Sequence, residues 1–134
     1  MNYWLLKTEP ETFSWDALEK TGISMWDGVR NYQARNNLRK MKEGDQVLFY
    51  HSGKNPGIIG LAEVIREHYP DPTANEGDWS VVDVKAIRRL KRFVTLQEIK
   101  QSPSLQNMVL VKNTRLSVQP VQLEDFLEIL QIAD

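Results

Sequence analysis

The spacing of apolar positions changes several times along the chain, and each change marks an element. Tyr3-Trp4-Leu5-Leu6 is a short β-prone run that passes into Lys7-Thr8-Glu9-Pro10, which predicts a strand entering a proline-closed loop. Ser14 or Thr12 is placed to cap a helix of about two turns through Leu18 and Glu19, stopped by Thr21-Gly22. Ile23 to Trp26 is a brief strand candidate, and Asp27-Gly28 reads as a turn. Over residues 31 to 41, Ala34, Leu38 and Met41 recur at helical spacing while Arg35, Arg39 and Lys40 fall elsewhere. That is an amphipathic helix with a basic face.

Beyond Gly44-Asp45 the period shortens. Gln46 to His51 is a strand whose unbroken apolar centre predicts burial on both faces. Ile58 to Glu67 and Trp79 to Ile87 are two further strands, separated by a polar loop at Pro70 to Gly77. Thr95 caps a short helix containing Leu96 and Ile99, closed by Ser102-Pro103. Leu116-Ser117-Val118 is a last strand candidate, and Phe126, Leu127, Leu130 and Ile132 form the apolar face of a C-terminal helix. Central strands joined by turns, with helices near both ends, predict an α+β fold built on a small, antiparallel, curved β-barrel or strongly curved sheet with flanking helices. At 134 residues, one domain spanning 1–134 is expected.

Composition narrows the chemistry. The chain has no cysteine and two histidines, so disulfides, thiolate nucleophiles and cysteine-based metal sites are excluded, and neither metal nor cofactor is expected. Gly57-Ile58-Ile59-Gly60 lacks the lysine and hydroxyl residue of a phosphate loop. No secretory pattern opens the chain, which points to cytoplasm or nucleus. The net charge of −1 argues against a strongly basic nucleic-acid binder, yet it is unevenly spread. Residues 28 to 42 hold Arg30, Arg35, Arg39, Lys40 and Lys42 with no acid, and residues 85 to 92 hold Lys85, Arg88, Arg89, Lys91 and Arg92 with none. If the two runs adjoin in space, they make a positive face.

Aromatic residues interleave with the first run. In Trp26-Asp27-Gly28-Val29-Arg30-Asn31-Tyr32 a flat ring lies beside a carboxylate, a guanidinium and an amide, the groups that stack a base, read its edge and hold phosphate. The competing reading places Trp26 in the core beside Val29. Trp79 opens a strand after a polar loop, so it and Trp26 could wall one slot; Trp4 fits the core better. Catalysis by His51-Ser52 is disfavoured, since adjacent strand residues point to opposite faces and no nucleophile elbow surrounds the serine. Glu9 and Asp27 are candidates for paired acids, and sequence sets no distance between them.

Tyr3-Trp4-Leu5-Leu6-Lys7-Thr8-Glu9-Pro10, the run Trp26 to Asn36, Phe49-Tyr50-His51-Ser52, Gly57 to Val64, Trp79 with Val82-Asp83-Val84, and Arg115-Leu116-Ser117-Val118 together resemble the EVE domain family, in order and over nearly the whole chain. The resemblance implies a PUA-like fold related to YTH domains, and a non-catalytic module that binds a modified base such as 5-methylcytosine or an oxidised form, or a methylated RNA base. By the same comparison Trp26 and Trp79 would be cage walls, and Lys7, Thr8 and Glu9 a strand end lining the pocket. Asp27 would contact the base edge. Asn31, Tyr32, His51 and Ser52 fall in family motifs near the pocket, and Arg30, Arg35, Arg88 and Arg115 are the expected phosphate contacts. A base-processing enzyme or a small-molecule site using the same pocket are the alternatives.

Overall fold

The computed structural model describes all 134 residues. Six strands, β1 (Tyr3–Thr8), β2 (Ile23–Met25), β3 (Gln46–His51), β4 (Gly57–Pro70), β5 (Ser80–Thr95) and β6 (Val118–Val121), form one sheet in the order β2-β5-β4-β3-β1-β6. Helices α1 (Trp15–Thr21), α2 (Tyr32–Lys40), α3 (Leu96–Gln101), α4 (Val109–Lys112) and α5 (Leu123–Ala133) flank it. No helix is long and apolar enough to cross a membrane.

The α+β prediction holds, with two corrections. The sheet is open, ending at β2 and β6, and it is mixed: β1 and β3 run parallel, whereas the other neighbours are antiparallel. Parallel neighbours need a crossover, and the segment carrying α1, β2 and α2 supplies it. The local alternation that predicts strands is blind to their direction. Strand β5 also runs eight residues past the predicted end at Ile87, because Leu90 and Val94 still point inward although charged residues surround them.

Helices cover both faces. Leu6, Val47, Phe49, Val64, Val82 and Val84 pack with Trp15, Leu18, Ala34 and Leu38 on one side. Leu5, Leu48, Tyr50, Ile58 and Val94 pack with Ile99, Phe126 and Ile129 on the other. This explains the unbroken apolar run of β3, which is buried on both faces. Ser14, rather than Thr12, caps α1 by accepting from Ala17 N–H. Thr95 and Glu98 form a reciprocal capping box on α3. Trp4 is buried, and its indole N–H donates to the buried Asp45 carboxylate at 2.9 Å.

Gly60 lets Trp15 lie directly on β4, since a Cβ there would come within 2.5 Å of the indole. Gly60→Ala should therefore displace that ring and lower stability by about 1–3 kcal/mol, read as an earlier midpoint in chemical unfolding. An unchanged midpoint would mean that the indole moves freely.

Candidate nucleic-acid interface

A cavity of about 420 Å³ opens between the end of β1, the turn before α1 and the loop that follows β2. Lys7, Thr8, Thr12, Phe13, Ser24, Met25 and Ser117 line one part, and Trp26-Asp27-Gly28-Val29-Arg30 the other. Its volume lies toward the small end of the range for small-molecule sites.

Trp26 has both of the roles that sequence left open. It is 6% exposed and packs edge-on against Phe49 at 5.5 Å and Phe13 at 5.9 Å, yet it lines the cavity. Its backbone N–H donates to the Val82 carbonyl, which ties the loop to β5. The loop then turns at Gly28, whose φ of +81° falls in the left-handed region favoured by glycine.

Asp71, on the loop after β4, holds this turn in place. Its carboxylate is buried and accepts from Gly28 N–H at 3.0 Å, Arg30 Nη1 at 2.9 Å, Thr73 N–H at 2.7 Å and Thr73 Oγ1 at 2.6 Å. Burial pushes its pKa up, but the hydrogen bonds from Thr73, Gly28 and Arg30 outweigh that and hold it at about 2. In sequence Asp71 is one polar residue of the loop between β4 and β5. An Asp-Pro-Thr step signals an Asx turn, but nothing local indicates a partner 43 residues upstream.

The other sequence-derived residues divide into groups. Thr8 and Asp27 line the cavity, Asp27 with its side chain in solvent. Thr8 Oγ1 donates to the Phe13 carbonyl at 3.0 Å, which leaves its lone pairs able to accept. Lys7 borders the cavity, but its ammonium group donates to the Thr114 carbonyl and lies 5.3 Å from the Tyr50 ring centre; burial lowers its pKa. Glu9 lies outside the cavity lining, its carbonyl accepting from Thr12 and Phe13 N–H in the turn. Asn31 caps α2 by accepting from Ala34 N–H at 2.9 Å.

Trp79 does not face Trp26 across the cavity. It stacks on Tyr32 with centroids 5.1 Å apart and planes at 19°, beyond the Arg30 guanidinium. His51 and Ser52 border a separate depression with Glu11, Lys54 and Phe93. His51 Nε2 accepts from Trp15 N–H at 3.0 Å, a bond that needs the neutral ring, and burial lowers its pKa accordingly. Met25, Phe13, Ser24 and Ser117 are cavity residues that sequence reasoning missed, since ordinary strand and turn residues carry no signature of facing a void.

The two cationic runs are not free charge. Arg30 pairs with Asp71, Arg39 with Asp78, Lys42 with Glu67, Arg89 with Asp16 and Glu19, and Arg92 with Glu98. Acids outside the two runs thus pair with half of the ten cations. The first run meets β5 at Ser80, through Arg39. Arg88 lies eight residues further along that strand, roughly 25 Å at ~3.3 Å per residue. Arg115 is exposed two residues before the cavity-lining Ser117.

The EVE domain family model matches residues 2–132. Mouse thymocyte nuclear protein 1 is 42% identical, over 99% of this chain and 74% of its own length. A solved Agrobacterium tumefaciens protein superposes with a TM-score of 0.96 at 43% identity, covering 99% of this chain and 93% of the other. Human THYN1 protein, solved in complex with 5-methylcytosine containing DNA, superposes with a TM-score of 0.92 at 39% identity, covering 100% of this chain and 98% of the other. The YTH domain of Zygosaccharomyces rouxii MRB1, solved with N6-methyladenosine RNA, shares the fold at a TM-score of 0.60 and 18% identity, covering 99% of this chain and 86% of the other.

Proposed function

The chain belongs to the EVE domain family, and from that premise we propose that it is a non-catalytic module for nucleic acid carrying a modified base, which enters the cavity beside Trp26. The observation that carries this reading is the whole-chain likeness to a protein solved on 5-methylcytosine containing DNA, together with a base-sized cavity walled by an indole. A base inside a duplex hides both faces, so it must leave the stack to meet Trp26. Stacking on the ring contributes ~1–3 kcal/mol. Asp27 and the Thr8 hydroxyl accept from an exocyclic amine such as that of cytosine, and Phe13, Met25 and Val29 leave an apolar margin for a methyl group.

Arg30 sits at the rim with its side chain 38% exposed, where it meets the phosphate next to the extruded base. Because so many cations are already paired, few phosphates are contacted and the dependence on salt is shallow.

Titration of a labelled single-stranded oligonucleotide bearing one 5-methylcytosine, against its cytosine counterpart, tests the proposal. The modified strand should bind tighter by roughly 10-fold, since one methyl group in an apolar pocket is worth ~1–3 kcal/mol. It should also be recovered chemically intact. Equal affinity would sink the modified-base reading, and a converted product would assign the cavity to an enzyme.

A further inference from the structure

Tyr32 is 67% exposed, yet it does not lie loose on the surface. It opens α2 directly after the Asn31 cap and stacks on Trp79, the residue preceding β5. The Arg35 guanidinium carbon lies 5.0 Å from the Tyr32 ring centre and 5.7 Å from that of Trp79, while the two rings are 5.1 Å apart. Three nearly equal sides place the guanidinium beside the stack. Over the outer face of Tyr32, its distance to Trp79 would approach the sum of the other two. Arg35 is fixed there by donating to the Asn36 side-chain oxygen at 3.0 and 3.1 Å and to the Asp78 carbonyl at 3.1 Å. The pair joins neither apolar cluster of the fold. It is an ordered aromatic step with an uncovered face and cations at its side.

This step adjoins the cavity. Arg30 lines the cavity, and its guanidinium carbon is 5.7 Å from the Trp79 ring centre. Stacked nucleotides rise ~3.4 Å and a splayed strand spans more, and the Arg30 side chain joins the two places that neighbouring nucleotides of one strand would meet. We propose that the Tyr32–Trp79 stack is a second base site, on which the nucleotide next to the extruded one stacks, with Arg30 and Arg35 holding the intervening phosphate. The ligand class is then an oligonucleotide with a base on at least one side of the modified one. The proposal rests on the cavity being the modified-base site. Ordering in the free protein favours it, because little side-chain freedom is lost on binding.

The test uses three labelled single strands: one with 5-methylcytosine flanked by bases, one with abasic linkers on both sides of it, and one with an abasic linker in its place. Wild-type protein should bind the first about 10-fold tighter than the second, within the ~1–3 kcal/mol of a stacked base. Tyr32→Ala should abolish that difference, and Tyr32→Phe should retain it. Equal binding of the first two strands by wild type, or an undiminished preference in Tyr32→Ala, would overturn the second site. Equal binding of the first and third strands would instead overturn the cavity reading. Circular dichroism melts of the variants should match wild type, as expected for an exposed helix-start residue.

Discussion

Trp26→Ala is expected to lose both stability and ligand, with the stability loss the larger effect. The ring sits edge-on to Phe49 and Phe13 and is 6% exposed, so removing it leaves a void beside the cavity. Truncating a buried tryptophan costs about 3–5 kcal/mol, against a total stability of ~5–15 kcal/mol for an ordinary domain. The variant should unfold at markedly lower denaturant, and its weakened binding would not by itself identify a base contact. Trp26→Phe separates the two effects. It keeps an aromatic ring against Phe49 but presents less surface to the cavity, so it should lose about 1–2 kcal/mol of stability and several-fold in affinity for the modified strand. Unaltered affinity in Trp26→Phe, with the midpoint lowered, would leave Trp26 as core alone.

The second large effect is expected at Asp71. Asp71→Asn removes the charge that Arg30 Nη1 meets at 2.9 Å and weakens the acceptor for Gly28 N–H. The carboxyl is held at about 2, below its ordinary 3.8. A carboxylate with a depressed folded pKa adds stability that is fully present above the unfolded value and is lost as pH falls through the folded one. Wild type should therefore exceed Asp71→Asn by about 2 kcal/mol at pH 7, at ~1.4 kcal/mol per unit. The gap should narrow between about pH 4 and pH 2. Urea unfolding of both proteins across that range is the measurement, and a constant gap would mean that the effect is one of shape. Because Asp71 also shapes the turn that carries Asp27 and Arg30, Asp71→Asn should weaken oligonucleotide binding at pH 7 as well.

The contrast between these two residues shows how far a sequence can be read. Trp26 announces itself: a tryptophan followed by Asp-Gly, Arg and Asn is an unusual local cluster, and its neighbours in sequence remain its neighbours in the cavity wall. Asp71 carries no such sign, since its task is set by Gly28 and Arg30, more than 40 residues earlier. Trp79 illustrates the converse. Its position at a strand entrance was legible, but its partner was not, and the structure sets it against Tyr32 instead of across from Trp26.

Sequence by itself determined what depends on near neighbours. Apolar periodicity, the Thr95 cap and the two-sided burial of Gln46–His51 are written in contacts a few residues apart, so most elements of the α+β fold follow from them. Tertiary structure alone decided the strand directions and order, the convergence of Thr8, Phe13, Trp26 and Ser117 on one cavity, and the fate of the charge. Ten cations in two acid-free runs predict a positive face, but Asp16, Glu67, Asp71, Asp78 and Glu98 fold back onto half of them. The field at a surface sums charges by distance in space, and chain folding sets those distances independently of position in the sequence.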